Sequence, residues 1–129
     1  MNEENPVILA LTETKLNKDD IFEIDGYKTE RNDRVGDGGG VLIAFKKSLL
    51  NVMTTICKYN EHNCEALWMR LDNGKDQIKI GLVYMPQEKP TLAKDLGTIY
   101  EAITKEVRSA AENGEKTIIT GRFQLQDWS

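Results

Sequence analysis

The chain has 129 residues, of which 40% are hydrophobic and 29% are charged, and its formal net charge at neutral pH is −4. This composition excludes an intrinsically disordered protein, and the length suits one folded domain with a substantial core. No apolar run reaches the roughly 20 residues that span a bilayer, and no signal peptide is evident at the start. We therefore expect a cytoplasmic or nuclear protein without membrane association.

Short strands dominate the predicted elements of the first half. Val7–Leu11 is a continuous apolar run, which is typical of a strand covered on both faces. Gly36–Gly40 is a glycine-rich turn. Further strands are predicted at Lys28–Asn32, Val41–Phe45, Asn51–Cys57 and Ala66–Leu71. In the last of these, alternation places Leu67, Met69 and Leu71 on one face and Ala66, Trp68 and Arg70 on the other.

A strand, a helix and a final strand are predicted after the Asn73-Gly74 turn. The strands are Ile78–Tyr84 and Thr117–Thr120, and the helix runs from Thr91 to Asn113, with Thr91 as its cap and Gly114 as its left-handed stop. One apolar stripe follows the helix: Leu92, Leu96, Ile99, Ile103, Val107 and Ala110. The order predicts a right-handed crossover, and the fold class is α/β or α+β with sheet dominating.

Four segments in this order resemble the endonuclease/exonuclease/phosphatase superfamily, and most closely its non-LTR retrotransposon endonucleases. They are Ile8–Leu16, then Asp25-Gly26-Tyr27 with Gly38–Ala44, then Ile80–Pro86, and lastly Ile118–Gln124. The tail Asp127-Trp128-Ser129 is also similar to the family sequence. The resemblance implies a DNase I-like fold, a sheet-rich layered sandwich with one long helix in this part.

The resemblance implies functional roles for two residues. Glu13 corresponds to the family's metal ligand, which holds Mg²⁺, and Tyr84 to a residue that hydrogen-bonds the substrate phosphate. The alternatives are a solvated Glu at a strand end and a strand aromatic with its hydroxyl at the rim. We expect Glu13 and Tyr84 to be vestigial catalytic residues.

The departures from the family pattern concern the fourth segment and the ends of the chain. Arg122 and Gln124 stand where the family has a catalytic Asp and Asn. Replacing a carboxylate by a guanidinium disfavours a divalent cation, because the interaction energy of each pair of unit charges is about 4 kcal/mol at about 4 Å. We expect that Arg122 pairs with Glu13 in place of Mg²⁺, which is not retained. We also expect residues 1–129 to form a single domain truncated at both ends, supplying one sheet and lacking most of its partner sheet.

Three other features are weaker candidates for sites. Gly36–Gly40 resembles an anion-binding nest, but a hairpin turn is the better interpretation. Cys57, His62 and Cys64 lack the fourth ligand that a structural zinc wants. A modest basic cluster suggests either weak contact with a phosphate backbone or a solvated surface. Its members are Arg31, Arg34, Lys46 and Lys47.

The favoured function is a transposon-derived, degenerate endonuclease-like domain that acts by association rather than catalysis. We expect a homodimer in which the second copy covers a sheet face left bare, with protein or weak nucleic-acid binding as further partners. The alternative is an active Mg²⁺-dependent endonuclease or phosphodiesterase whose site is completed by dimerisation. A nucleic-acid-binding remnant without chemistry is a third possibility.

Overall fold

A computed structural model describes residues 7–33, 39–61, 64–85 and 93–122. They form seven strands, one 3₁₀ turn and one α-helix. The strands are β1 Ile8–Thr12, β2 Tyr27–Asn32, β3 Val41–Lys46, β4 Met53–Glu61, β5 Cys64–Asp72, β6 Gln77–Tyr84 and β7 Lys116–Arg122. The helix α1 is Ala93–Glu112, and the 3₁₀ turn is Lys47–Leu49. Neither helix has the length and apolar character that crossing a bilayer requires.

The strands form two sheets that pack face to face. Sheet one has the order β1-β3-β2, with both pairings antiparallel. Sheet two has the order β4-β5-β6-β7, in which β7 runs parallel to β6 and the other pairings are antiparallel. The parallel pair is joined through α1, so the predicted strand–helix–strand crossover is confirmed.

The main core lies between the two sheets. Its buried members are Val41, Ile43, Phe45, Met53, Leu67, Met69, Ile80, Leu82 and Tyr84. Leu42 and Ala44, which alternate onto the other face of β3, are also fully buried. The expectation of a largely missing partner sheet is therefore wrong, since both sheets are present. Periodicity located the strands but did not indicate which of them pair.

A second core lies between sheet two and α1. The predicted alternation in β5 is confirmed, because Ala66 and Trp68 contact the helix side while Leu67 and Met69 face sheet one. The helix ends at Glu112, one residue before the predicted end. Gly114 is the predicted left-handed stop, with a φ of 71°, and the N–H of Glu115 donates to the carbonyl of Ala110. The predicted cap Thr91 and the stripe residue Leu92 lie outside the described residues.

Two ion pairs fasten α1 and the segment after it to sheet two. The Lys79 ammonium, 2% exposed, contacts Glu106 Oε1 at 2.7 Å and the Glu106 carbonyl at 2.9 Å. The Arg70 guanidinium binds both carboxylate oxygens of Glu115, the second at 3.2 Å. Both cations come from the helix-facing side of the sheet, so the charges stabilise the docking without entering the inter-sheet core.

Candidate functional site

The two residues that the resemblance singles out are in contact. Tyr84 closes β6 with its side chain 2% exposed, and its hydroxyl donates a hydrogen bond to Oε1 of Glu13. Glu13 is solvent-exposed and directly follows β1. The contact therefore joins the end of β1 in sheet one to the end of β6 in sheet two, at the rim between the sheets.

The backbone that carries Glu13 has an uncommon conformation. Glu13 has a φ of 55° and Lys15 a φ of 56°, in the left-handed region that side chains other than glycine rarely adopt. Such conformations persist where the surrounding structure holds them, and they concentrate at functional sites. The strained turn directs the Glu13 side chain back toward Tyr84 instead of continuing β1.

The end of the glycine-rich segment holds that turn in place. The Lys15 N–H donates to the Gly39 carbonyl at 2.8 Å, and the Thr14 N–H donates to the Gly40 carbonyl at 3.3 Å. Gly40 has a φ of 93°, and a Cβ there would lie 2.4 Å from Oγ1 of Thr14. Only glycine meets both conditions, so the close approach of these two segments depends on Gly40.

Two buried polar side chains join the sheets behind this turn. Glu65, at 0% exposure, accepts a hydrogen bond from the Gly40 N–H at 2.8 Å. The Asn32 amide donates to the Tyr59 carbonyl at 2.8 Å and to the Ala66 carbonyl at 3.0 Å. Glu65 lies opposite Tyr84 in the β5–β6 register, so both side chains emerge on the same face of sheet two.

Arg122 lies beside Tyr84 but does not replace the metal in the expected way. The two residues are partners in the parallel β6–β7 register, and Arg122 is solvent-exposed. Among the ion pairs within the described ranges, none joins Arg122 to Glu13. The predicted pair is therefore wrong: Glu13 accepts a hydrogen bond from the Tyr84 hydroxyl, and Arg122 is exposed at the end of β7.

A solved structure shares this architecture. The human Nocturnin catalytic domain, solved with a bound sulfate anion, matches 94% of this chain with a TM-score of 0.57 and 14% sequence identity. The fold is a partial endonuclease/exonuclease/phosphatase fold. The chain spans about half of the Nocturnin structure, 52% of its length. No family model and no curated protein matches this sequence.

The likeness to Nocturnin concerns the fold, since 14% identity carries no functional detail. It supports the superfamily architecture and the sheet-rich sandwich with one long helix. The retrotransposon subtype remains a prediction.

The donors around Tyr84 do not fit a Mg²⁺ ion as the family would hold it. Glu13 offers one carboxylate, and that carboxylate accepts the Tyr84 hydroxyl. The next residue along the rim is the cationic Arg122, where a second oxygen donor would be needed. Among the described residues, no three Asp, Glu, His or Cys side chains are grouped closely enough to hold a metal.

The structure describes parts of the weaker candidate sites, the glycine-rich turn and the basic cluster. The β2–β3 antiparallel pairing confirms the hairpin interpretation of the glycine-rich turn, although Gly36 to Gly38 lie outside the described residues. Arg31 of the basic cluster binds Asp33 at 3.0 Å and the Asn17 carbonyl at 2.8 Å, so it stabilises a loop. Arg34, His62 and Gln124 also lie outside the described residues.

Cys57 and Cys64 are free thiols that line a small, mostly apolar cavity of about 80 Å³ between sheet two and α1. Burial raises the pKa of the Cys57 thiol, and the neighbouring Glu106 carboxylate raises it further. The thiol form is therefore favoured at neutral pH, and Cys57 is a poor nucleophile there.

Glu65 is the site residue that sequence reasoning missed. It lies between Cys64 and Ala66 in β5, one residue before the strand that the apolar pattern predicted. A charged side chain at the start of an apolar run is usually solvated. Its position, an even number of residues before Leu67 and Met69, was the available signal, because it places the carboxylate on the inter-sheet face.

Proposed function

We propose that this chain is a degenerate half of an endonuclease/exonuclease/phosphatase fold, derived from a non-LTR retrotransposon endonuclease, which acts by association and does not cleave phosphodiesters alone. Arg122 carries the proposal. A guanidinium beside Tyr84 places a positive charge where the chemistry needs a cation held by carboxylates. Glu13 and Tyr84 remain together as the inherited part of the site.

The association surface that we propose is the outer edge of β7. Within the described part of the chain, β7 pairs with β6 alone. The Arg122 carbonyl accepts the Met85 N–H at 2.8 Å, so Arg122 faces β6 and alternation turns the backbone groups of Thr117, Ile119 and Gly121 outward. Exposed strand edges of this kind are templates for pairing with another chain.

The side chains of β7 favour association as well. Ile118 is 53% exposed and Ile119 is 37% exposed, and the two lie on opposite faces of the strand. The central run Thr117–Thr120 contains β-branched residues only and no charge. Edge strands usually carry a charge or a proline that discourages pairing, and this run lacks both.

A second copy of this chain is the partner that fits the charges of β7. In an antiparallel two-fold pair centred on Ile118, Lys116 lies opposite Thr120 of the partner subunit. Centring on Ile119 would place Lys116 opposite Arg122 of the partner subunit, where like charges repel. The register on Ile118 also packs the two Ile118 side chains together in a close, non-hydrogen-bonded position.

Light scattering during size exclusion tests the association. We expect a dimer at micromolar concentration, and we expect Ile118→Lys to convert it to the 14.6 kDa monomer. Leu50→Lys is the matched control, because Leu50 is 50% exposed and lies away from β7. A monomeric unmodified chain, or a dimer that Ile118→Lys leaves intact, would contradict the proposed surface.

Cysteine cross-linking tests the register. In a background without Cys57 and Cys64, Ile118→Cys is expected to form a disulfide-linked dimer on mild oxidation, whereas Thr120→Cys is not. The close non-hydrogen-bonded position permits the short Cβ separation that a disulfide requires. Cross-linking at Thr120 but not at Ile118 would exclude the register centred on Ile118.

A second candidate function is a metal-dependent phosphodiesterase whose site is completed by another subunit. Two observations favour it: among the described residues no ion pair joins Glu13 to Arg122, and Glu13 keeps its hydrogen bond with Tyr84. A gel shift across a salt series distinguishes nucleic-acid binding without chemistry from the two other functions, because binding through phosphate contacts weakens as the salt concentration rises.

A further inference from the structure

The buried carboxylate of Glu65 is the least expected group in the inter-sheet region. Glu65 is 0% exposed. The next residues of β5 on the same face, Leu67 and Met69, belong to the hydrophobic core between the sheets. Removing a carboxylate from water is costly unless hydrogen bonds stabilise it. Glu65 accepts the Gly40 N–H at 2.8 Å, which ties β5 to the end of the glycine-rich segment.

That hydrogen bond completes a ring of contacts around the candidate site. Glu65 holds Gly40, and the carbonyls of Gly39 and Gly40 hold the N–H groups of Lys15 and Thr14. The turn so held presents Glu13, whose carboxylate accepts the Tyr84 hydroxyl. Tyr84 in turn lies directly opposite Glu65 in the β5–β6 register, so the series of contacts begins and ends at Glu65.

We infer that Glu65 is a positioning residue, which sets the Glu13 carboxylate against the Tyr84 hydroxyl by fixing Gly40. The inference rests on the proposed function for the identity of the site, but not on whether the site cleaves anything. Glu65 acts indirectly: it binds Gly40, and Gly39 and Gly40 bind the strained turn that carries Glu13. The φ of 55° at Glu13 needs such support, because an unsupported chain relaxes toward the ordinary allowed regions.

A merely structural role for Glu65 makes a different prediction. If Glu65 only stabilised the sandwich, its loss would weaken every part of the domain together. A positioning role loosens the turn at Thr14 and Lys15 and disturbs the Glu13–Tyr84 contact beyond the change in global stability. Glu65→Gln keeps an oxygen that can accept the Gly40 N–H, whereas Glu65→Leu removes it.

The test is NMR on the unmodified chain and on both Glu65 variants, with Tyr84→Phe as the reference for a broken Glu13–Tyr84 contact and Glu115→Leu as a matched control. Glu115 is also a buried carboxylate attached to sheet two, but it binds Arg70 on the helix side. We expect Glu65→Leu to speed amide exchange of Lys15 at least about tenfold relative to core amides of β5. The Glu13 carboxyl ¹³C resonance is expected to move toward its position in Tyr84→Phe. Glu65→Gln should restore both signals, and Glu115→Leu should change neither.

The inference is overturned if Glu65→Leu leaves the Lys15 exchange and the Glu13 resonance unchanged relative to the core. It is also overturned if Glu115→Leu reproduces both effects. Should Glu65→Leu fail to fold, the unmodified chain decides: a scalar coupling across the hydrogen bond from the Gly40 nitrogen to the Glu65 carboxyl carbon is required, and its absence refutes the contact. These readouts need neither dimerisation nor cleavage, so their failure is distinct from failure of the proposed function.

Discussion

The Tyr84 hydroxyl donates a hydrogen bond to the Glu13 carboxylate across 71 positions of the chain. The contact links the last residue of β6 to the residue after β1, and so joins the two sheets at their rim. It brings together the two residues that the family resemblance singles out, and Arg122 lies next to Tyr84 in the β6–β7 register.

This contact is expected to contribute to stability. Tyr84→Phe should lower the free energy of unfolding by about 1–2 kcal/mol, because the phenol is buried and donates its hydrogen bond to a carboxyl group. Glu13→Gln should cost less, since Glu13 is solvent-exposed. Urea denaturation of both single variants and the double variant measures the coupling. Strictly additive effects would show that the hydrogen bond does not form in solution.

Two glycines are expected to respond to alanine with opposite signs. A Cβ at Gly121 would lie 1.8 Å from the Val83 carbonyl oxygen at a φ of 129°, so Gly121→Ala should destabilise the fold by more than about 3 kcal/mol. A Cβ at Gly97, within α1, meets nothing within 4 Å, so Gly97→Ala should stabilise by about 1 kcal/mol. Thermal unfolding of the two variants checks the pair. A tolerated Gly121→Ala would contradict the close approach of β6 and β7.

The Arg70–Glu115 pair predicts an acid-dependent loss of stability. The hydrogen bond from Arg70 lowers the pKa of the Glu115 carboxyl below its usual value of 4.5. A lowered pKa in the folded state contributes stability that is complete above the unfolded value and lost as the pH falls through the folded value. The unfolding free energy of the unmodified chain should therefore exceed that of Glu115→Gln at pH about 6 and approach it below the folded pKa. A gap that is constant over this range would contradict the assignment.

Placing a carboxylate at position 122 of β7 is expected to strengthen cation binding. Arg122→Asp exchanges a positive for a negative charge beside Tyr84 and should raise the affinity for Mn²⁺ at least about tenfold, as followed by electron paramagnetic resonance. Lys116→Asp is the matched control, since it makes the same charge change on the same face of β7 at the far end of the strand. Equal gains from both variants would show that net charge, and not the position of Arg122, controls binding.

The local elements were largely predictable, because they depend on patterns of neighbouring residues. The faces of β5 follow from alternation, and the end of α1 follows from Gly114. β4 reaches Glu61, beyond the predicted Cys57, because a register shift between Thr55 and Cys57 interrupts the alternation. The apolar pattern therefore predicted a strand end that is too early in the sequence.

The long-range arrangement was less predictable. The pairing of β3 with both β1 and β2 creates sheet one, and no local pattern specifies that pairing. Glu13 and Tyr84 were found through the resemblance alone. Glu65 was missed because its hydrogen-bond partner, Gly40, lies far away in the sequence, directly before β3 of sheet one. Arg122 was expected to pair with Glu13, but its exposed position on β7 was visible only in three dimensions.

The proposed function requires that the chain does not cleave phosphodiesters by itself. The most direct measurement is nicking of supercoiled plasmid by the purified chain with Mg²⁺ or Mn²⁺, in parallel with Glu13→Gln prepared in the same way. We expect the two preparations to give the same background rate, because Arg122 opposes the divalent cation that the reaction needs. Nicking by the unmodified chain that Glu13→Gln abolishes would contradict the account.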